Sequence, residues 1–213
     1  MPRKNIMDFL GKPIISYTIG AAQRSGLFTH VVISTDDAEI AQIAETCGAK
    51  VQERSAKLAG DRATLVDICL DFLKTEQTAG RRYEVICCLL ATSPIRNESD
   101  IAAVYRLIEP GICDFAMAVT SYDLPPYQAL RKNHDGFLVP IWPDVANLRS
   151  QDLPTPYVDN GSTYCASVRA LRQYRTLYGP NLRGYVMPRE RSVDIDEAAD
   201  LEMARYFAQR LWK

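Results

Sequence analysis

The chain has no long apolar run. Among its 213 residues the longest uninterrupted hydrophobic stretch is 85–91, far short of the roughly 20 residues that a membrane-spanning helix needs. No apolar segment follows the start Met1-Pro2-Arg3-Lys4-Asn5, so a secretory signal is not expected. Histidine is scarce, with only His30 and His134, and the six cysteines form no C-x-x-C pair, which argues against a zinc cage. The cysteines sit largely inside apolar runs such as Ile86-Cys87-Cys88-Leu89. Thiols placed in this way suit a reducing compartment, and a cytoplasmic location without a membrane partner is expected. An excess of charge of one sign is also missing: 25 Lys+Arg face 26 Asp+Glu, for a formal charge of −1. That balance speaks against a nucleic-acid partner, which usually shows as a basic stripe. Neither G-x-G-x-x-G nor G-x-x-x-x-G-K-[ST] occurs, so the common glycine-rich nucleotide fingerprints are absent.

What is present is a regular alternation of short β-branched runs and amphipathic segments. Pro13 can open a helix in which Ile14, Ile15, Thr18, Ala21 and Ala22 recur at helical spacing until Gly26. Residues 31–34 read as a buried strand, and Asp36 or Asp37 caps a helix that Gly48 stops. A helix is expected over 64–78, a central strand over 85–90, a helix over 99–108 and a strand over 115–120. Strands over 163–168 and 185–187 and a last helix over 197–211 complete the series. Strands separated by helices imply an α/β fold with a mostly parallel sheet covered on both faces. The whole of 1–213 reads as one domain. Within it the proline-rich stretch 122–157, carrying Tyr127 and Trp142, reads as an arm or lid leaving the sheet.

In open α/β sheets, ligands collect at the carboxyl ends of strands. Polar groups fall at such points in Ser34-Thr35-Asp36-Asp37, in Thr92-Ser93-Pro94 and, on the way into a strand, in Asn160-Gly161. The most informative carboxylates are in Val193-Asp194-Ile195-Asp196. Side chains at i and i+2 of an extended segment face the same way, so Asp194 and Asp196 can meet one hard cation such as Mg²⁺. The alternative is that Asp196 caps the last helix and Asp194 is merely solvated. Lys4 could meet a phosphate, and Arg54, at a strand end, a phosphate or a base edge, although solvation and surface ion pairing are the commoner fates of such residues. His134, in Lys132-Asn133-His134-Asp135-Gly136, reads as part of an exposed turn.

The order of these motifs goes further. Lys4-Asn5, Gly11-Lys12-Pro13-Ile14-Ile15, Val32-Ile33-Ser34-Thr35-Asp36-Asp37, Arg54 with Leu58 and Asp61, Thr92-Ser93-Pro94-Ile95-Arg96, Arg149-Ser150-Gln151-Asp152-Leu153-Pro154, Asn160-Gly161 and Asp194-Ile195-Asp196 together resemble the acylneuraminate cytidylyltransferase family. This family comprises the CMP–sialic acid synthetases and their pseudaminate and legionaminate relatives. The resemblance covers nearly the whole chain. It implies a Rossmann-like nucleotidyltransferase fold and transfer of CMP from CTP to a nine-carbon 2-keto sugar acid, with pyrophosphate leaving. It further implies that Lys4 meets the triphosphate, that Asn5, Arg54 and Asp61 hold the nucleotide, and that Asp194 and Asp196 bind Mg²⁺. Gln151, Asn160 and Tyr164 would line the sugar side, and the 122–157 arm would serve a homodimer.

The chain also departs from that pattern. Relatives begin with an apolar strand and an A-R-x-G-S-K loop before the K-N pair, whereas this sequence starts just past that point, and the expectation is a translation start further upstream. Leu90-Ala91 stands where sialate enzymes carry glutamine and proline, and Ser150 and Val158 stand where they carry two arginines. Loss of guanidinium groups from a carboxylate site is not a conservative change, so the expected acceptor is a bacterial-type nonulosonic acid and not N-acetylneuraminate. Two rival readings are a related sugar nucleotidyltransferase with another acceptor and a nucleotide-binding scaffold that has lost turnover.

Overall fold

The computed structural model describes residues 3–55, 58, 60, 63–122, 124 and 126–212, with only the backbone at 150. In chain order the elements are β1 (Asp8–Phe9), β2 (Lys12–Pro13), α1 (Ile14–Arg24), β3 (Val32–Thr35), α2 (Ala38–Thr46), β4 (Lys50–Glu53), α3 (Leu65–Thr78) and β5 (Val85–Leu89). There follow α4 (Glu98–Tyr105), β6 (Phe115–Ser121), β7 (Leu130–Lys132), β8 (Leu138–Pro140), β9 (Tyr157–Ser167), α5 (Val168–Tyr174), β10 (Leu182–Val186) and α6 (Ala198–Leu211).

Local chemistry sets the helix boundaries. Asp37, not Asp36, caps α2, its Oδ1 accepting from the amides of Glu39 at 2.8 Å and Ile40 at 3.1 Å. Thr64 and Asp67 form a capping box at α3, and Asn97 and Asp100 form another at α4. The last turn of α4 is closed by bonds from Leu107 to Val104 and from Ile108 to Tyr105. Those i→i−3 bonds tighten the chain, and the helix ends at Tyr105, three residues before the position that periodicity suggests.

The main sheet has the order β10-β6-β9-β5. β10 is parallel to β6, and β9 runs antiparallel to both β6 and β5. Three of the four strands therefore point the same way, and β9 is inserted against them. Successive β6 residues serve opposite faces: Phe115 and Met117 pack with Leu73 of α3 and Leu171 of α5, whereas Ala116 and Ala118 pack with Val104 of α4. A third cluster joins Phe9 and Ile14 to Val193, Ile195, Leu201 and Ala204, seating α6 against the amino-terminal segment. There the Tyr17 and Trp212 rings stack with centroids 5.2 Å apart.

One strand departs from the sequence reading. β5 is not internal to the described sheet but lies at its edge, and every residue from Val85 to Leu89 is only half-buried. β3 and β4 form a separate parallel pair. Between β3 and β5 lies a cavity of about 950 Å³, lined by both strands, by Ile68 and Phe72 of α3 and by Ile15 of α1. The apolar run at 85–90 signals burial on both faces, but period and composition do not report which neighbours a strand has.

Segment 122–157 does leave the sheet. It holds two 3-10 turns and the antiparallel β7–β8 hairpin, closed by a turn with Gly136 at φ 87° and His134 exposed. Leu130, Phe137, Leu138 and Trp142 are all exposed there. No helix among the described residues is long and apolar enough to cross a membrane.

At the far end of α3, Glu76 is buried, accepting from Arg81 through both oxygens at 2.6 Å and from the Tyr83 hydroxyl at 2.5 Å. These bonds, the Arg81 guanidinium first, hold its carboxyl at about 2 against an ordinary 4.5. A depressed folded pKa contributes stability above the unfolded value that is lost as pH falls toward the folded one. Glu76→Gln should therefore lower stability at neutral pH and flatten its fall between pH 4.5 and 2, as read by denaturant titration across that range.

Candidate active site

Three chain segments converge beside the carboxyl end of β5. The first is the 3-10 turn Lys4–Ile6. The second is Thr92-Ser93, which follows β5, and the third is the extended stretch between β10 and α6. The carbonyl of Thr92 accepts from the Ile195 amide at 3.0 Å, which fixes the last two against each other. In that stretch Val193 and Ile195 are buried, Asp194 is half-buried and Asp196 is exposed. Burial thus alternates with the period of an extended segment.

Asp196 Oδ1 receives Lys4 Nζ at 2.6 Å. The capping alternative for Asp196 does not hold: Glu197 is the residue preceding α6, and Asp200 Oδ2 accepts from the amides of Asp196 at 3.0 Å and Glu197 at 2.9 Å. Asp194 is half-buried, and its Oδ1 is fully buried without a hydrogen-bond partner. Burial pushes its carboxyl above the usual carboxylate range, and the Thr92 hydroxyl, donating to it, opposes that shift. A buried carboxylate oxygen left without a donor is costly. Together with Asp196 it offers the carboxylate oxygens that suit a hard cation such as Mg²⁺.

Gly161 makes this approach possible. It has φ +69°, and a Cβ there would stand 2.5 Å from Asp194 Oδ2 and 3.1 Å from its Cγ. The register between β6 and β9 shifts between Met117 and Val119, which pair with Tyr164 and Asp159. The irregular stretch of β9 thus brings Gly161 against Asp194. Such bulges re-aim side chains next to active sites.

The other sequence-derived candidates fall into groups. Lys4, Asn5 and Arg54 line the cavity between β3 and β5 together with Thr35 and Thr92. Arg54 Nε donates to Ser34 Oγ at 3.3 Å. Asn160 is buried and fully engaged: its Nδ2 donates to Ser192 Oγ at 3.0 Å, and its Oδ1 accepts from Ser162. Tyr164 is also buried, and its hydroxyl donates to Asp159 Oδ2 at 2.8 Å. Burial and that bond push its phenol well above the ordinary range. Gln151 lies on the arm in the 3-10 turn Ser150–Asp152, exposed and outside the hydrogen-bonded cluster formed by the described residues. Asp61 lies outside the described residues.

Several contributors escape sequence reasoning. Thr92, Asp159 and Gly161 stand inside or beside quoted motifs, but what they touch becomes visible only once β9 and the 193–196 stretch are brought together. Tyr178 carried no sequence signal at all, yet its hydroxyl donates to Asp159, which pushes the phenol up to about 12.

An α/β sheet with cationic and carboxylate groups gathered at strand ends is suited to holding a charged ligand, and the comparisons with known proteins give the class as nucleotidyltransferase. The family model described as cytidylyltransferase matches residues 1–122, and this chain belongs to that family. It is 34% identical over 206 residues to the pseudaminic acid cytidylyltransferase of Campylobacter jejuni, covering 96% of this chain and 89% of that one. It is 28% identical to the N-acylneuraminate cytidylyltransferase of Escherichia coli, covering 97% of this chain and 48% of that one. Among solved structures, a CMP:2-keto-3-deoxy-manno-octonic acid synthetase complexed with CTP superposes with a TM-score of 0.70 at 15% identity, covering 99% of this chain and 93% of that one. That likeness shows the shared fold.

Proposed function

We propose that this enzyme transfers CMP from CTP to a nine-carbon 2-keto sugar acid of the pseudaminic type and releases pyrophosphate. The observation that carries the reading is the ion pair of Lys4 with Asp196, two residues from Asp194, beside the cavity lined by Lys4, Asn5, Arg54 and Thr92. The name of the Campylobacter jejuni relative, which matches along nearly all of both chains, supports the acceptor class.

In this reading the anomeric hydroxyl oxygen attacks the α-phosphorus. Its bond to the bridging oxygen of the β-phosphate breaks, pyrophosphate leaves with the bond electrons, and the hydroxyl proton passes to solvent. No covalent enzyme intermediate is needed, so the protein aligns the reactants and neutralises growing phosphate charge. Lys4 exchanges Asp196 for the triphosphate, while Asn5, Arg54 and Asp61 hold the nucleotide. Asp194 and Asp196 are the residues that would hold Mg²⁺, which when bound offsets phosphate charge and orients the leaving group. Tyr164, Asn160 and Gln151 shape the sugar side, the first two through the β9 bulge.

The exposed apolar side chains of the β7–β8 hairpin support a homodimer that covers the arm. The function is tested by pyrophosphate release from CTP and Mg²⁺ with pseudaminic, legionaminic and N-acetylneuraminic acids. Release with pseudaminic acid ahead of the other two is expected. Binding of CTP with no release for any acceptor would support the scaffold reading instead.

A further inference from the structure

Asp159 lies in β9 two residues before Gly161, and both of its carboxylate oxygens accept hydrogen bonds. Oδ1 accepts from the Gly161 amide at 2.9 Å, and Oδ2 accepts from the hydroxyls of Tyr164 and Tyr178. Gly161 is the residue whose missing Cβ lets Asp194 Oδ2 approach the backbone. From Asp159 a short bonded path therefore runs to Gly161 and on to Asp194 by close packing. The two tyrosines come from different places, Tyr164 inside β9 and Tyr178 between α5 and β10, so the carboxylate is held from two directions.

We propose that Asp159 is a positioning residue that fixes the left-handed conformation of Gly161 and, through it, the place of Asp194. The inference rests on the proposed role of Asp194 in holding a divalent cation. If Gly161 relaxes toward ordinary extended backbone, its Cα and amide move and the wall against Asp194 Oδ2 moves with them. A charge on Asp159 is suited to the task because a carboxylate can hold three donors in short bonds, as a neutral amide cannot. Residues that orient cation ligands in this way typically change metal affinity or activity by about 10- to 100-fold when removed.

The test compares Asp159→Ala, Asp159→Asn, Gly161→Ala and Tyr178→Phe in the full chain, with Mn²⁺ as the probe. Binding of Mn²⁺ to the unreacted protein is followed by electron paramagnetic resonance, and exchange of the Gly161 amide by NMR. Asp159→Ala should weaken Mn²⁺ binding by about tenfold and speed exchange at Gly161, and Gly161→Ala should weaken Mn²⁺ binding to the same degree. Asp159→Asn keeps one carbonyl acceptor for the Gly161 amide and should recover part of the affinity. Tyr178→Phe should fall between wild type and Asp159→Ala. The proposal is overturned if Asp159→Ala binds Mn²⁺ as wild type does while melting lower, since the carboxylate then serves stability alone. Failure of the transferase reading is distinguishable from this: a wild type that binds Mn²⁺ but turns over no sugar acid leaves the Asp159 comparison intact.

Discussion

Replacing Asp194 by asparagine should lower Mg²⁺-dependent turnover on the order of a hundredfold to a thousandfold and leave the fold in place. The magnitude follows from several kcal/mol of charge stabilisation contributed at a metal-assisted centre, at about 1.4 kcal/mol for each tenfold in rate. The fold should persist because asparagine is nearly isosteric and removes a buried carboxylate whose Oδ1 has no partner. Thr92 can still donate to the remaining carbonyl. The expected signature is therefore a thermal midpoint at or slightly above that of the wild type, combined with a collapse of kcat. Pyrophosphate release across a Mg²⁺ titration provides the check, and turnover equal to that of the wild type would remove Asp194 from the cation site.

The second large effect concerns stability. Arg191→Met should cost about 3 kcal/mol, the lower end of the range for breaking a buried ion pair, because the arginine is partly solvated. Asp100 is fully buried, with side-chain exposure of 0% against 23% for Arg191. The guanidinium meets both carboxylate oxygens, at 2.9 Å and 2.7 Å, and Tyr185 adds a bond at 3.1 Å. Methionine leaves the carboxylate without its cation. For a chain of this length the thermal midpoint should fall by roughly 6–12 °C. Asp100→Asn with Arg191→Met should recover part of the loss, since the amide carries no charge to be left buried. Scanning calorimetry of the two variants decides the matter. Arg191 also lies in the turn that leads into the 193–196 stretch, so turnover should fall along with stability.

Much of this was legible in the residues. The order strand, cap, helix, glycine gave the element types because capping side chains and apolar spacing act over a few neighbouring residues. Asp194 and Asp196 could be paired because alternation along an extended segment is a local rule, and Val193 and Ile195 turned inward as it requires. The contacts that complete the site are of another kind. Gly161 reaches Asp194 across the distance between two elements, and Tyr178 reaches Asp159 from beyond α5. Neither pairing leaves a period or spacing in the sequence. The same limit explains β5: composition shows an apolar strand, whereas its edge position depends on which partners flank it. Asn160, which the family resemblance assigns to the sugar side, is held by Ser162 and Ser192, and no local spacing announces those partners.

β9 is the longest strand among the described residues, with 11 residues from Tyr157 to Ser167. Its first residue is exposed where the arm returns, its irregular middle lies against Asp194, and its last residues are held in the interior by Asp114. Its interior end is thus anchored, and its exposed end is where the arm joins it. Residues 141–156 lie between the hairpin and this exposed end, so a displacement of the hairpin reaches Asp159, two residues into the strand, only through them.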